Sequence, residues 1–279
     1  MAHNGIALNG TVLEGARVLL TGASSGIGRA LALALAQEGA QLVLVARREA
    51  VLKELADIIA NQHGMQPLVL PADLGQQGSA ATVAAAAERE LGGIDVLVNN
   101  AGVSIIGAQH IVGDGEPART LFETNYWSPL ALIAALTPGM RQRGHGCIVN
   151  VTSTLQAVPM PLVGYYSASK TAFARSTQVL RHELRDAGVR VMEVVPGGTD
   201  TPTRHQDRLL PLRRKLPEPP LVAPESTAKA IVRGLQNGAE RVVHPASSLL
   251  PLELPSIGRL IARVAAHSID ASSDQVLIP

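Results

Sequence analysis

The sequence predicts an α/β fold, with a doubly wound parallel sheet of about seven strands and helices on both of its faces. Short apolar runs alternate along the 279 residues with helix-like segments of about ten residues or more, which is typical of right-handed βαβ units. Hydrophobic residues make up 46% of the chain and charged residues 17%, which excludes a disordered chain. The apolar residues are mostly Ala, Leu and Val, as expected for helices packed on a buried parallel sheet.

Seven runs are predicted strands because each is short, apolar or β-branched, and bounded by turn residues or helix starts. They cover residues 17–20, 41–45, 67–70, 94–98, 147–151, 189–195 and 241–244. The helices predicted between them cover residues 29–38, 49–62, 79–91, 116–143, 165–187 and 223–238. Gly39, Gly144 and Gly188 end three of these helices, and an interruption is expected near Pro129.

One domain over residues 1–279 accounts for this pattern, because neither an internal repeat nor a low-complexity linker divides it. The proline-rich segment 199–224 lies inside the α/β pattern and is predicted to be a substrate lid. Residues 245–279 form a C-terminal extension with an apolar series of Leu, Ile and Val. Packing on its own domain is the favoured interpretation of this extension. A cap on the substrate site, a subunit contact and peripheral contact with a membrane surface are the alternatives.

Composition excludes several classes of function. A formal net charge of +1 and an aromatic content of 2% argue against a nucleic-acid binder, which needs clustered basic charge and stacking side chains. A single cysteine, Cys147, excludes a disulfide framework, and the eight histidines show no metal-ligand spacing, so no metal is expected. The N-terminus lacks a signal-peptide pattern, and no apolar run reaches the ~18 residues of a membrane span. A cytoplasmic location is therefore expected.

A glycine motif follows the first predicted strand and opens the first predicted helix. Its residues are Thr21, Gly22, Ala23, Ser24, Ser25, Gly26, Ile27 and Gly28. Glycines let the backbone approach a pyrophosphate closely, and a helix N-terminus supplies free N–H groups at a positive dipole end. The spacing Gly-x-x-x-Gly-x-Gly is a variant of the Gly-x-Gly-x-x-Gly fingerprint. The motif predicts a dinucleotide site in a Rossmann-type fold, and an ordinary glycine-rich turn with a serine N-cap is the alternative.

The end of the second predicted strand indicates which dinucleotide is bound. A free ribose 2′-hydroxyl usually meets a carboxylate about 20 residues after the glycines. Ala46 occupies that position and its side chain accepts no hydrogen bond, whereas Arg47 and Arg48 follow it at once. Guanidinium groups suit a 2′-phosphate, so these residues favour NADP(H) over NAD. A solvated basic turn is the alternative.

A tyrosine and a lysine share one face near the start of the helix predicted over 165–187. Tyr166 and Lys170 are four residues apart, so the phenol and the ammonium lie on the same side of the helix. An ammonium at about 4 Å favours the phenolate by roughly 4 kcal/mol at an effective dielectric of about 20, and desolvation opposes this. Tyr166 is therefore a candidate general acid–base. The rival Tyr165 has the uncharged Ser169 at the same spacing.

Two further polar residues are candidates for the same site. Ser153 follows the strand predicted over 147–151, and the carboxyl ends of parallel strands face the ligand crevice. Its hydroxyl is suited to polarise a substrate carbonyl, with Thr152 and Thr154 as the alternatives. Asn125 lies within the helix predicted over 116–143, where a lone Asn is usually solvated or locally hydrogen-bonded.

Together these motifs resemble the short-chain dehydrogenase/reductase family from about residue 17 to residue 201. The glycine motif resembles the family's cofactor loop, and the catalytic tetrad is matched in order and spacing by Asn125, Ser153, Tyr166 and Lys170. Three more segments resemble the adenine-contacting pair, the sheet-and-cofactor motif and the segment that closes over the nicotinamide. They are, in that order, Asp73-Leu74, Asn99-Asn100-Ala101-Gly102 and Pro196-Gly197-Gly198-Thr199-Asp200-Thr201.

The resemblance implies an NADP(H)-dependent oxidoreductase that transfers a hydride between nicotinamide and a carbonyl or secondary alcohol. Tyr166 would donate a proton to the carbonyl oxygen, Lys170 would lower the pKa of Tyr166 and bind the nicotinamide ribose, and Ser153 would hold the substrate oxygen. Asn125 would anchor a water in a proton relay to Lys170. The resemblance also implies a homodimer or homotetramer, often built through the helices that here cover about 117–143 and 165–187.

Some points stay open in the sequence. Some NADP-using members of the family carry a basic residue where Ser25 stands, so the 2′-phosphate prediction rests on Arg47 and Arg48. An NAD-dependent alcohol dehydrogenase of the same family and a non-catalytic NADP-binding regulator are the alternative functions. The lid holds leucines among basic residues, namely Arg204, Arg208, Arg213, Arg214 and Lys215. These cations either meet an acidic group on the substrate or are solvated, and solvation is the favoured interpretation.

Overall fold

The computed structural model describes residues 10–206, 209–214, 221–272 and 276–278. Within these residues the strands are β1 (Arg17–Thr21), β2 (Gln41–Ala46), β3 (Leu68–Pro71), β4 (Val96–Asn99), β5 (Gly146–Val151), β6 (Val189–Pro196) and β7 (Arg241–His244). They form one parallel sheet in the order β3-β2-β1-β4-β5-β6-β7. The predicted doubly wound sheet is thus confirmed. Its two halves wind outward from the gap between β1 and β4, the switch point where such sheets bind ligands.

Helices connect the strands as expected of βαβ units. Those in the described part of the chain are α1 (Gly26–Gln37), α2 (Glu49–His63), α3 (Ser79–Leu91), α4 (Gln109–Val112), α5 (Glu116–Phe122), α6 (Ser128–Arg143), α7 (Gly164–Glu183), α8 (Pro202–Gln206), α9 (Pro224–Gln236), α10 (Leu249–Glu253) and α11 (Pro255–Ser268). Short 3-10 turns lie at Thr154–Gln156, Arg185–Ala187 and Ala246–Ser248, and a π turn lies at Glu123–Trp127.

Element boundaries differ from the predicted ones by one to three residues at most elements, and the following differences are among them. β3 starts and ends one residue later than the run predicted over 67–70. The interruption expected near Pro129 is the π turn between α5 and α6. Pro129 itself lies in the first turn of α6 and has no N–H to donate to the carbonyls of the preceding π turn. The helix predicted over 165–187 ends at Glu183, and a 3-10 turn completes the segment.

Alternate strand residues are buried on opposite faces of the sheet. Val18 and Leu20 of β1 belong to one apolar cluster with residues of α1, α2 and α9, whereas Leu19 belongs to a second cluster with residues of α3 and α6. Because helices cover both faces, the strands are apolar at nearly every position. This packing fixes the carboxyl ends of β1, β4 and β5 side by side.

A third cluster lies outside the sheet and joins the loop after β4, the loop before α7, the lid and the C-terminal extension. We call it the tail cluster; its buried residues are Ile106, Ala108, Leu162, Val163, Leu210, Ala265 and Ile269. Backbone bridges pair Leu277 with Ile106 and Ile269 with Leu212. The described part of the extension therefore packs on its own domain. Among the described helices, none has the length and apolar character needed to cross a bilayer.

Candidate active site

The glycine loop, residues 21–28, joins the end of β1 to the start of α1. Gly22 has a φ of +69°, and a Cβ there would lie 2.8 Å from the Cα of Ala101. A Cβ on Gly28 would lie 2.1 Å from the carbonyl oxygen of Gly22, so α1 packs directly against the loop. Ser25, the N-cap of α1, makes no side-chain capping bond, which leaves the first N–H groups of the helix for another acceptor. The loop has the features of an anion cradle.

Hydrogen bonds lock this loop to the segment that follows β4. The Thr21 hydroxyl accepts from the backbone N–H groups of Asn100 and Ala101, each at 3.0 Å, and donates to the Val98 carbonyl at 3.2 Å. The Asn100 side-chain amide donates to the backbone oxygens of Thr21 and Gly22 at 2.9 and 3.3 Å. The predicted cofactor residues of the loop and of the 99–102 segment therefore lie together.

Asn99, the last residue of β4, is buried between strands. Its Nδ2 donates to Oδ1 of Asn150 at 3.0 Å, and Nδ2 of Asn150 donates to Oγ1 of Thr177 on α7 at 2.9 Å. Among the described residues, Oδ1 of Asn99 has no hydrogen-bond partner. A buried acceptor at the carboxyl edge of the sheet is thus left for a further donor.

Arg48 is held beside the glycine loop. Its Nη2 donates to the carbonyl oxygen of Ser24 at 3.2 Å and to Oγ of Ser24 at 3.0 Å. Arg47 is exposed next to it, and the half-buried Ala46 ends β2 without a polar side chain. Two cations, with no carboxylate at position 46, therefore lie near the loop that is expected to hold the cofactor phosphates.

The predicted adenine pair follows β3. Oδ1 of the half-buried Asp73 accepts from the backbone N–H of Gly75 at 3.0 Å, so part of the carboxylate is used to shape its own turn. Leu74 is buried, and its carbonyl accepts from Oγ of Ser128 at 2.8 Å. The turn is thus anchored to the start of α6.

Tyr166 and Lys170 lie in the first two turns of α7. Nζ of Lys170 is 5.8 Å from the centroid of the Tyr166 ring and donates to the carbonyl oxygen of Val151 at 2.9 Å. Lys170 is 3% exposed, and this burial lowers the pKa of its ammonium to about 8. The group is therefore still mostly charged at neutral pH. The rival Tyr165 is turned away, since its hydroxyl donates to the carbonyl oxygens of Gln109 and Gly113.

Ser153 follows the last residues of β5 and caps the 3-10 turn Thr154–Gln156. Its Oγ accepts from the backbone N–H of Leu155 at 3.2 Å, and the residue is 8% exposed. The rival Thr152 is 2% exposed, and its hydroxyl is bonded to Glu193 and Val194. Ser153 is thus better placed than Thr152 to meet a substrate, and Val151 links its strand to Lys170.

Asn125 lies in the π turn and is fully buried. Its Oδ1 accepts from the backbone N–H of Val103 at 2.8 Å, and its Nδ2 donates to the Val103 carbonyl at 2.9 Å and to Oγ of Ser169 at 3.0 Å. A Cβ on Gly102 would lie 3.4 Å from Nζ of Lys170 and 3.5 Å from Oδ1 of Asn125. Asn125, Lys170 and the 102–103 backbone therefore converge, and π turns frequently mark such sites.

The segment Pro196–Thr201 approaches the glycine loop from β6. A Cβ on Gly26 would lie 3.0 Å from Cγ2 of Thr201, so the two loops are in contact. Thr199 is buried, and its hydroxyl donates to the carbonyl oxygen of Gly197 at 3.3 Å. The remaining predicted residues of the cofactor site are thus brought to the same edge of the sheet.

Sequence reasoning missed Glu193 and Gln156. Glu193 accepts from the Thr152 hydroxyl and from the Gln156 side chain, and the Gln156 N–H donates to the Ser153 carbonyl. The available signal was a single carboxylate, Glu193, inside an otherwise apolar stretch of β6. Among the described residues, no group of three potential metal ligands occurs. Cys147 is buried, and burial raises the pKa of its thiol. It is therefore poorly suited to be a nucleophile.

The sheet order, the glycine cradle at the switch point and the Tyr–Lys pair anchored to the end of β5 define a Rossmann-type protein with features of an oxidoreductase site. Comparisons with known proteins assign the family. The family model "short chain dehydrogenase" matches residues 16–209, and the chain belongs to that family. Membership places it among oxidoreductases that bind nicotinamide cofactors.

Individual relatives agree with this assignment. A Gallus gallus protein described as "Hydroxysteroid 11-beta-dehydrogenase 1-like protein" is 42% identical over 173 residues, covering 62% of this chain and 59% of that protein. A short-chain dehydrogenase from Sphingobium yanoikuyae in complex with NADPH has a TM-score of 0.76 at 29% identity, covering 88% of this chain and 94% of that chain. In three curated relatives the matched region spans 58–61% of the relative's own length.

A second solved structure carries the other cofactor. A short-chain dehydrogenase/reductase from Burkholderia phymatum in complex with NAD has a TM-score of 0.76 at 25% identity, covering 89% of this chain and 97% of that chain. Because neighbours of equal structural similarity hold NADPH and NAD, the choice between them depends on the residues of this chain.

Proposed function

We propose that this protein is an NADP(H)-dependent oxidoreductase that transfers a hydride between nicotinamide and a carbonyl or secondary alcohol, with Tyr166 as general acid–base. The observation that carries the proposal is the buried ammonium of Lys170, 5.8 Å from the Tyr166 ring and hydrogen-bonded to the Val151 carbonyl at the carboxyl end of β5. A buried cation beside a phenol favours the phenolate and so suits the phenol to exchange protons near neutral pH.

The residues present fit a phosphorylated dinucleotide. The glycine loop and the uncapped N-terminus of α1 would receive the pyrophosphate, and Arg48, fixed by Ser24, would meet a 2′-phosphate together with Arg47. Ala46 offers no carboxylate that would repel such a phosphate or bind a free 2′-hydroxyl. These features support NADP(H) over NAD, in line with the cofactor of the Sphingobium protein.

The bound nicotinamide would supply or accept the hydride. Oη of Tyr166 donates its proton to the substrate oxygen during reduction, while Oγ of Ser153 donates a hydrogen bond to the same oxygen and holds it in place. The ammonium of Lys170 stabilises the tyrosinate left behind. A carbonyl held by two donors is polarised toward hydride addition, and the reverse proton transfer serves oxidation.

Asn125 contributes through its backbone in this proposal. Its side-chain amide is already engaged by Val103 and Ser169. Four residues later stands Pro129, which has no N–H to donate to the Asn125 carbonyl. That carbonyl is therefore suited to accept a hydrogen bond from a water that links it to Lys170, which would return the proton to the site.

The proposed substrate is apolar around its reacting carbon. In this proposal the segments 103–119 and 154–164 and the lid surround the substrate, and all three contribute residues to the tail cluster. The lid arginine Arg213 donates to Asp270 at 2.7 Å, which supports an internal role for this charge over recognition of an acidic substrate. Arg208, Lys215 and Leu216 lie outside the described residues.

Assembly into a homodimer or homotetramer is part of the proposal. Trp127, just before α6, and Val179, on α7, are 55% and 47% exposed, which supports a contact between copies at these two helices. Light scattering of the purified protein tests this, with a lower mass expected for Val179→Glu. The cytoplasmic location stays a prediction.

The catalytic proposal is tested by NADPH consumption with a panel of apolar ketones and aldehydes. Wild type should reduce at least one of them, and Tyr166→Phe should lower kcat by about a thousandfold, because the proton donor is lost. Tyr165→Phe is the matched control and should change kcat by less than about threefold, since its hydroxyl only bonds the 109–113 loop. Equal losses in the two variants would contradict the role of Tyr166.

A further inference from the structure

Glu193 is a buried acidic residue on β6, the strand next to the sheet edge. It lies on β6 between Met192 and Val194 and is 1% exposed. Its neighbours in register are Asn150 on β5 and Arg241 on β7. A carboxylate removed from water is strongly disfavoured unless it is paired and hydrogen-bonded. Its place in an apolar strand therefore indicates a role other than packing.

The two oxygens of Glu193 have different partners. Oε1 accepts from Oγ1 of Thr152 at 3.0 Å and from Nε2 of Gln156 at 3.1 Å. Oε2 lies 3.3 Å from Nε of Arg241, whose Nη1 donates to Glu253 at 2.7 Å. One oxygen thus faces the segment around Ser153, and the other lies against the cation that balances the buried charge.

Thr152 and Gln156 bracket Ser153. Thr152 precedes it, and Gln156 ends the 3-10 turn for which Ser153 is the N-cap. Within that turn the backbone N–H of Gln156 donates to the Ser153 carbonyl at 3.1 Å. A single oxygen of Glu193 therefore ties together both ends of the turn that orients the Ser153 hydroxyl.

We infer that Glu193 is a positioning residue that fixes Ser153 by holding Thr152 and Gln156. A charged acceptor makes shorter and stronger hydrogen bonds than a neutral one, which suits it to hold two donors at once. Arg241 pairs with the other oxygen of the carboxylate, on the side away from the turn. The kinetic consequence of this inference rests on the proposed function, whereas its effect on the turn does not.

The structural test is hydrogen exchange of the backbone amides of Leu155, Gln156 and Ala157 in the full chain. Glu193→Ala should speed their exchange by about tenfold or more, because the turn loses its anchor, while amides of the glycine loop stay unchanged. Glu193→Gln keeps an acceptor and should show a smaller increase. The matched control is Glu253→Gln, which removes the other partner of Arg241 and should leave the turn unchanged. Unchanged exchange in Glu193→Ala would overturn the inference.

The kinetic test separates positioning from a general loss of structure. Glu193→Ala should lower kcat for ketone reduction by about tenfold to a hundredfold with an unchanged Kd for NADPH, and Glu193→Gln should recover part of it. In a Ser153→Ala background, Glu193→Ala should cause no further loss, because it acts through that hydroxyl. Additive losses would overturn the inference. An inactive wild type would contradict the proposed function and leave the exchange result to decide the role of Glu193.

A second, independent feature is the uncovered face of α11. Gly258, Ala262 and Ala265 pack this helix on the domain, and a Cβ on Gly258 would lie 2.2 Å from the carbonyl oxygen of Ala157. On another side, Leu260, Ile261 and Val264 are 58%, 42% and 46% exposed. The preceding residues Leu250 and Leu254 are exposed as well, which extends the apolar surface.

Positive charge flanks this surface. Leu260, Ile261 and Val264 form a stripe about 100° wide at the helical period, with Arg259 and Arg263 along one side of it. Both arginines are exposed, and α11 carries no acidic residue. A symmetric contact between two copies would bring these arginines toward each other, whereas an anionic lipid surface pairs with them.

We propose that this face of α11 docks on an anionic lipid surface. The leucine, isoleucine and valine side chains enter the headgroup boundary, and the arginines meet lipid phosphates or carboxylates. The same helix contributes Ala265 to the tail cluster, so docking would place the proposed substrate loops next to the lipid.

Co-sedimentation with vesicles of phosphatidylcholine, with and without phosphatidylserine, tests this docking. Wild type should bind the mixed vesicles, and Val264→Glu should weaken binding by about tenfold or more. The matched control Val12→Glu changes a valine that is 78% exposed outside this face and should bind as wild type does. A combined Arg259→Gln and Arg263→Gln variant should lose the preference for phosphatidylserine. Absent vesicle binding, or a Val264→Glu effect confined to self-association in light scattering, would overturn the proposal.

Discussion

The cofactor side and the substrate side of the proposed site are held by different kinds of interaction. On the cofactor side, Thr21, Asn100 and Arg48 fix the loops after β1, β4 and β2 by hydrogen bonds. On the substrate side, four segments meet in the tail cluster through apolar contacts. A directed hydrogen bond requires a particular residue type at one position, whereas an apolar contact accepts several. The first side can therefore be recognised as a motif, and the second cannot.

The proposed catalytic residues lie where the two sides meet. Lys170 reaches back to the Val151 carbonyl on the sheet, while the neighbouring Ser169 hydroxyl accepts from Asn125. This region combines the polar anchoring of the cofactor side with the burial of the substrate side. Burial lowers the pKa of the Lys170 ammonium to about 8.

The largest expected effect on stability comes from Lys170→Met, at the boundary between the two sides. Burial lowers the lysine pKa from its ordinary 10.5 to about 8. Between those pH values the unfolded chain holds a proton that the folded chain has lost, so the free energy of unfolding rises with pH there. Below pH 8, Lys170→Met should be more stable than wild type by up to about 3 kcal/mol, less the lost hydrogen bond to Val151. This difference in free energy of unfolding between the two proteins should decrease to near zero between pH 8 and 10.5.

Chemical denaturation of wild type and Lys170→Met across this pH range measures the difference in their free energies of unfolding. Groups that titrate elsewhere in the chain contribute equally to both proteins and cancel in this difference. A difference that does not change with pH would show that Lys170 titrates at an ordinary value. The variant should also lose ketone reduction, because the charge beside Tyr166 is gone.

A smaller effect is expected on the cofactor side, from Thr21→Val. The substitution keeps the shape but removes the acceptor of the Ala101 N–H and one of the two acceptors of the Asn100 N–H. It should lower the free energy of unfolding by about 2 kcal/mol. Thr82→Val, at an exposed threonine of α3, is the control and should change it by less than about 0.5 kcal/mol. Urea unfolding measures the loss in both variants. Equal losses would contradict the claim that specific hydrogen bonds hold the cofactor side.

The smallest effect is expected on the substrate side, from Ile269→Val in the tail cluster. Loss of one methylene should lower the free energy of unfolding by about 1 kcal/mol. It should also raise KM for bulky ketones while leaving the Kd for NADPH unchanged, because the cluster borders only the substrate loops. Steady-state kinetics and cofactor titration check this pair of results. A change in NADPH affinity would show that the two sides are not separate.

The same contrast explains what the sequence could predict. The parallel sheet follows from apolar runs, and the loops of the cofactor side follow from glycines and polar residues whose spacing is fixed by hydrogen bonds. Asn125 could be predicted only in part. A lone asparagine in a helix does not by itself indicate a functional role, and its contact with Val103 depends on the π turn.

Long-range contacts between unlike segments were not predictable in this way. Glu193 contacts the Ser153 turn only because β5 and β6 are adjacent, and a carboxylate in an apolar run does not by itself indicate its partner. The packing of α11 on Ala157 depends on a backbone approach allowed by Gly258, which no periodicity reveals. The apolar series of the extension indicated that the extension packs on the domain, but it did not indicate which surface it packs on.

The central claim is that this chain binds NADP(H) through a cation fixed beside the glycine loop. Fluorescence titration of wild type, Arg48→Ala and the control Arg89→Ala with NADPH and NADH tests it most directly. Wild type and Arg89→Ala should bind NADPH about tenfold or more tighter than NADH, and Arg48→Ala should lose most of that preference with little change for NADH. Equal or tighter binding of NADH by wild type, or an unchanged preference in Arg48→Ala, would contradict the claim.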